Sequence, residues 1–180
     1  MIMGSNNIRI LAVDQARSGA WAVYDYETKT IVDYDIFKVN ETYSFEEFLY
    51  MITCMLDELV NKYDVDAVFF EDTQYQNNVN TFKKLCWLQG AIISWLQSKG
   101  MVYEIISPSQ WQNYCNARGR SVKEKKAGTT TLAEARRKSK SLTIEYVGKQ
   151  FGIQTNNDNL ADAICIGFYV VNNIIIKKGK

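Results

Sequence analysis

Residues 8–14 read Ile-Arg-Ile-Leu-Ala-Val-Asp, and the fold turns on this stretch. It alternates, is rich in β-formers and stops on an acid, so it reads as a buried strand ending on Asp14. Gly19 follows a short turn. Residues 20–26 and 30–39 read as two more strands, with Glu27-Thr28-Lys29 as the hairpin turn between them. The opening is therefore a three-stranded antiparallel meander.

Further along the chain the period changes to that of helices. Ser44 and Glu47 form a capping box that opens a helix through Tyr63, with Phe48, Met51, Ile52, Met55, Leu59 and Val60 on one stripe. Residues 65–70 are a buried strand ending on Glu71. Residues 79–98 are a second helix, and 102–106 a short strand. Ser107-Pro108 starts a third helix, since proline suits the first helical position. From 116 to about 140 the periodicity fails, and Gly119, Gly128 and Thr129-Thr130-Thr131 read as a loop with at most a helical turn at 132–138. Residues 141–152 and 158–176 read as the last two helices. The order is that of an α/β domain with a mixed five-stranded sheet: three antiparallel strands, then parallel crossovers, with helices on both faces. No linker or repeat interrupts residues 1–180, which read as a single domain.

Composition narrows the chemistry. The chain has 180 residues and no histidine, which excludes a Ser-His-Asp triad, a Cys-His protease and a His-ligated zinc site. Cys54, Cys86, Cys115 and Cys165 form no CxxC pair. With no signal peptide in view, they read as free thiols of a cytoplasmic protein. The longest apolar run, 164–176, is broken by Asn172 and Asn173 and is too short to cross a bilayer.

The net charge of +1 conceals a segregation. Residues 1–116 carry 8 Lys and Arg against 15 Asp and Glu, whereas residues 117–140 carry 9 against 2. An acidic body with one dense basic segment points to a polyanionic partner. Arg118, Arg120, Lys123, Lys125, Lys126, Arg136, Arg137, Lys138 and Lys140 are its phosphate-contact candidates.

Three acids stand out by position: Asp14 and Glu71 at strand ends, and Asp162 inside the apolar run Leu-Ala-Asp-Ala-Ile-Cys at 160–165. Strand ends of an α/β sheet line the crevice that takes ligands. An acid on an apolar helix face is costly unless a lysine or a metal pairs with it. Asp158, four residues before Asp162, shares its helix face. Carboxylates clustered without histidine suit Mg²⁺ or Mn²⁺. Two such ions could activate water and stabilise a phosphoryl transition state.

With these residues in place, the sequence resembles the RuvC-like Holliday-junction resolvases of the RNase H-like superfamily, particularly their phage-type branch. The matching pieces are Ile-Leu-Ala-Val-Asp-Gln-Ala-Arg-Ser-Gly-Ala-Trp-Ala-Val at 10–23, Phe-Phe-Glu-Asp at 69–72, Ser-Pro-Ser-Gln-Trp at 107–111 and Asn-Leu-Ala-Asp-Ala-Ile-Cys-Ile-Gly at 159–167. They follow the family's order and spacing over nearly the whole chain, and 117–135 match least.

The resemblance implies an RNase H-like fold, with catalytic metal ligands at Asp14, Glu71 and Asp162 and two Mg²⁺ or Mn²⁺ ions per site. The family's fourth acid falls on Asn159, a departure; either Asp158 supplies that carboxylate, or Asn159 binds metal as a neutral ligand, or the site is impaired. It further implies a homodimer, formed around the helix at 79–98, that cuts two strands of a four-way DNA junction. The ends would be 5′-phosphate and 3′-hydroxyl, and the setting the cytoplasm of a bacterial host. Tyr75, just after Glu71, is a candidate to stack on a base at the junction centre, the other reading being a ring packed on the sheet edge.

Three other readings share some of these features. A ribonuclease H-type enzyme would use the same fold and carboxylates on RNA–DNA hybrids. A sugar-kinase or actin-type ATPase would need a duplicated domain, for which 180 residues leave no room. A catalytically silent branched-DNA-binding protein would follow if Asn159 disables the site.

Overall fold

A computed structural model describes residues 7–40, 42–75 and 78–176. Its strands are β1 (Arg9–Asp14), β2 (Ala20–Asp25), β3 (Thr30–Ile36), β4 (Ala67–Glu71) and β5 (Val102–Ile106). The helices are α1 (Phe45–Tyr63), α2 (Val79–Ser98), α3 (Pro108–Tyr114), α4 (Val122–Ala127), α5 (Leu132–Phe151) and α6 (Asp158–Asn173). The strands form one sheet in the order β3-β2-β1-β4-β5. The β1–β2 and β2–β3 pairs are antiparallel, and the β1–β4 and β4–β5 pairs are parallel. This is the mixed α/β architecture expected from the sequence.

Strand alternation sorts the core into two layers. Leu11, Val13, Val23, Val68 and Phe70 face α1 and α2, where Phe48, Ile52, Leu56, Leu88, Ile92 and Leu96 close over them. Ile10, Ala12, Ala22, Tyr24, Ala67 and Phe69 face the other way, onto Trp111, Val147 and the apolar side of α6. Leu56 is fully buried, and truncating such a side chain to alanine costs about 2–5 kcal/mol. The small residues on this second face matter as well. A Cβ on Gly167 would stand 2.4 Å from the Tyr24 ring and 3.2 Å from the Ala12 Cβ, so only glycine lets α6 lie this close to the sheet. The Tyr24 hydroxyl then donates to the Ile164 carbonyl at 2.8 Å and locks α6 in place.

The structure corrects the reading of 117–140 as a loop. Ser121 caps α4 through a capping box with Glu124, and Gly128 ends that helix in the left-handed conformation, φ 64°. Thr131 and Glu134 form another capping box that starts α5 at Leu132 rather than at 141. The basic segment thus holds two capped helices, and the stretch that leads into α4 packs on α5. A Cβ on Gly119 would lie 1.6 Å from the Ala135 carbonyl oxygen, and the Ser139 hydroxyl donates to the Ala117 carbonyl at 2.6 Å. The remaining differences are at element ends: β3 stops at Ile36, β4 begins at Ala67 and α6 ends at Asn173. All four cysteines are free. Among the described residues no helix is long and apolar enough to cross a membrane.

Candidate active site

Parallel pairing of β1 with β4 sets Val13 opposite Phe70, so Asp14 and Glu71 follow side by side where the two strands end. By alternation both share the face of Ile10, Ala12, Ala67 and Phe69, which is the face that α6 covers. Asp162, in the second turn of α6, completes the group. Asp14, Glu71 and Asp162 line one cavity of about 640 Å³. Its other wall is cationic and comes from the corrected segment: Arg118, Arg120, Lys125, Arg136 and Lys140. Asn159 and Tyr75 line it too.

The remaining candidates lie elsewhere. Lys123, Lys126, Arg137 and Lys138 are exposed on α4 and α5 but do not line the cavity. Asp158 is not a lining residue either; its carboxylate forms an ion pair with the Lys140 ammonium. Asn159 donates through Nδ2 to the Ser18 carbonyl at 2.7 Å, tying α6 to the turn after β1. Tyr75 is 57% exposed, with its ring edge-on to Phe82 at 5.6 Å.

The electrostatics of the three acids are strained. Burial, and after it Asp158, raise the Asp14 carboxyl to about 7 against the opposing charge of Lys140. Burial and then Asp14 raise Glu71 to about 8, against the lowering effect of the Trp111 hydrogen bond. Asp162 is driven well above its ordinary range by burial, by Asp14 and by Glu71. Carboxyls raised by burial and by neighbouring acids, with Asp14 pushing up both Glu71 and Asp162, mark a site short of positive charge.

A divalent cation would relieve that shortage, and the donor set suits a hard ion. Asp162 Oδ1 is buried without a hydrogen-bond partner, an oxygen that a cation would satisfy. Among the described residues no three carboxylates or thiols are already drawn into one coordination sphere: Glu71 Oε1 accepts from Trp111 Nε1 at 2.8 Å, and Asp158 leans on Lys140. Asp14, Glu71 and Asp162 are the residues that would hold the ion.

Two residues of this neighbourhood had no role in the sequence reading. Trp111 is fully buried on α3 and reaches Glu71; only its place in the matching string at 107–111 marked it. Gln15 is 6% exposed, lines the cavity and donates through Nε2 to the Glu71 carbonyl at 2.8 Å. A polar residue directly after a strand-end acid was the available signal.

No protein-family profile matches the sequence, and no curated protein matches it significantly. Solved structures do match. The chain is similar to Thermus thermophilus RuvC in complex with Holliday junction substrate, with a TM-score of 0.65 and 13% identity over 90% of this chain and 92% of that one. It is similar to the yeast mitochondrial Holliday junction resolvase Ydc2, at 0.58 and 15% over 92% and 78%. It is also similar to the Fowlpox virus resolvase solved with Holliday junction DNA, at 0.56 and 14% over 94% and 100%. The fold is that of the RuvC-like resolvases.

Proposed function

We propose that this chain is a divalent-metal-dependent endodeoxyribonuclease that resolves four-way DNA junctions. The observation that carries the reading is the two-sided cavity: three half-buried acids from β1, β4 and α6 face five cations from the 118–140 region. A cavity of this kind suits a phosphodiester, whose charge the basic wall holds while the acidic floor gathers the cations needed for hydrolysis. The junction as substrate is supported by the likeness to resolvases solved with Holliday junction DNA.

Each side of the cavity has its own task. Arg118, Arg120, Lys125 and Arg136 hold backbone phosphates, which position DNA without reading bases. Lys140, tethered by Asp158, presents its charge to Asp14. Asp14, Glu71 and Asp162 would hold Mg²⁺ or Mn²⁺, two ions per site, with Asp158 or Asn159 the fourth donor. The ions supply Lewis-acid activation of water and phosphate. Trp111 keeps Glu71 oriented. Hydrolysis would leave 5′-phosphate and 3′-hydroxyl ends.

The exposed basic residues Lys123, Lys126, Arg137 and Lys138 extend the same surface to the junction arms, and Tyr75 offers a ring for an unpaired base. A homodimer would match the two-fold symmetry of the junction. The exposed Trp87 and Val79 of α2 are the apolar surface for it. The setting would be the cytoplasm of a bacterial host, with a phage or prophage as the source.

A labelled synthetic junction incubated with and without Mg²⁺ tests the reading. Paired, symmetric nicks that need Mg²⁺ are expected, and Asp14→Asn should bind the junction without cutting it. Preferred cutting of an RNA–DNA hybrid would favour the ribonuclease H-type alternative. Junction binding with no Mg²⁺-dependent cleavage would make this a silent binding protein.

A further inference from the structure

We propose that Gln15 supplies a neutral oxygen ligand to the divalent ion held by Asp14, Glu71 and Asp162. The inference rests on the metal-dependent reading above and adds to it a ligand that is not a carboxylate.

The orientation of the Gln15 side chain is settled by chemistry. The Glu71 main-chain oxygen can only accept, so the group 2.8 Å from it must be the amide nitrogen. Oε1 therefore points the other way. It is buried and finds no donor. Buried polar atoms in folded proteins are almost always paired, so an orphan of this kind needs an explanation.

Among the described residues three buried side-chain polar atoms lack partners: Gln15 Oε1, Asp162 Oδ1 and Gln89 Nε2. The two oxygens belong to residues that line the same cavity, whereas Gln89 is not a lining residue. The cavity thus collects acceptors that lack donors, next to Asp14 and Glu71. A hard cation satisfies all of them at once, because amide and carboxylate oxygens are both natural ligands for Mg²⁺-like ions. Gln15 also follows Asp14 directly at the end of β1 and is anchored to the end of β4, so its carbonyl is carried by the same strand ends as two of the acids. With an asparagine at 159 and Asp158 engaged by Lys140, an oxygen from Gln15 fills out a donor set that is short of a carboxylate.

Mn²⁺ binding to the full-length protein, read by electron paramagnetic resonance at pH 8, tests this without reference to cleavage. Gln15→Met keeps the side-chain length and removes the oxygen; it should weaken Mn²⁺ binding about tenfold with an unchanged circular dichroism spectrum. Gln15→Glu should tighten it, since affinity at such sites rises with ligand charge. A purely structural role for Gln15 makes the opposite forecast for that variant, because glutamate also loses the donor to the Glu71 carbonyl. Wild-type Mn²⁺ affinity in Gln15→Met, with binding lost in Asp162→Asn, would overturn the proposal and leave the nuclease reading standing. No Mn²⁺ uptake by the wild-type protein would overturn both.

Discussion

Trp111 Nε1 donates to Glu71 Oε1 across 2.8 Å, so a fully buried indole on α3 fixes one oxygen of the carboxyl that ends β4. The bond favours the ionised carboxylate and opposes the upward push of burial and of Asp14. Trp111→Phe deletes the donor and leaves most of the ring. Glu71 should then ionise above its present value of about 8, and the pH of half-maximal cleavage should move upward. Stability should fall by about 1–3 kcal/mol. A pH–rate profile beside a denaturant titration checks both.

The three acids also give the metal-free protein a distinctive response to pH. Their folded-state values lie above the ordinary ones of 3.8 for Asp and 4.5 for Glu, so the folded chain binds these protons more tightly than the unfolded chain does. Their contribution to stability is complete below about pH 4 and is lost as pH rises through about 7 and 8. In chelator the melting temperature should therefore decline between pH 5 and pH 8. Glu71→Gln should flatten that decline and stabilise the metal-free protein at pH 8 by about 2–4 kcal/mol. Added Mg²⁺ should raise the wild-type melting temperature and do less for the variant. Calorimetry across that range reads each effect.

Phosphate neutralisation by the basic helices should appear in the salt dependence of junction binding. If about six of the nine candidate cations act, the log–log slope is near −5. Arg118→Ala and Arg136→Ala, both at the cavity wall, should each make the slope shallower by about 1. Lys99, paired with Asp57 away from the cavity, should leave it unchanged when replaced by alanine. Fluorescence anisotropy at several salt concentrations measures the slope.

Positions 158 and 159 can be told apart by exchanging their chemistry. Asp158→Asn removes the charge that holds Lys140 and should reduce cleavage about tenfold. Asn159→Asp loses the donor to the Ser18 carbonyl, and its new carboxylate, repelled by that oxygen, should turn into the cavity. Cleavage should then equal or exceed that of the wild type, at a lower Mg²⁺ requirement. Single-turnover cleavage across a Mg²⁺ series compares the two.

What the sequence disclosed and what it hid have separate physical causes. The alternating apolar runs that end on Asp14 and Glu71 were legible because a strand buried on both faces leaves few alternatives. Their lateral pairing followed from right-handed parallel crossovers. The helical nature of 117–140 was missed because the segment has little apolar periodicity: α4 has no buried residue, and α5 buries only Ala135, Thr143 and Val147. Its signals lay in the caps, at Ser121 with Glu124 and Thr131 with Glu134, where threonine and glycine mark helix ends rather than a loop. Partners distant in the chain, such as Trp111 with Glu71 and Lys140 with Asp158, depend on how α3, α5 and α6 settle on the sheet. No local pattern encodes that.

The capped helices that carry the cations bear on the thermodynamics of any encounter with a polyanion. A floppy arm would surrender rotamer and backbone freedom on contact and would register a large negative heat-capacity change. Here α4 and α5 are already folded, and the stretch between α3 and α4 is pinned to α5 through Gly119 and Ser139, so attraction is not diverted into ordering the chain. Capture should be rapid, salt-tuned and nearly free of a calorimetric folding signature.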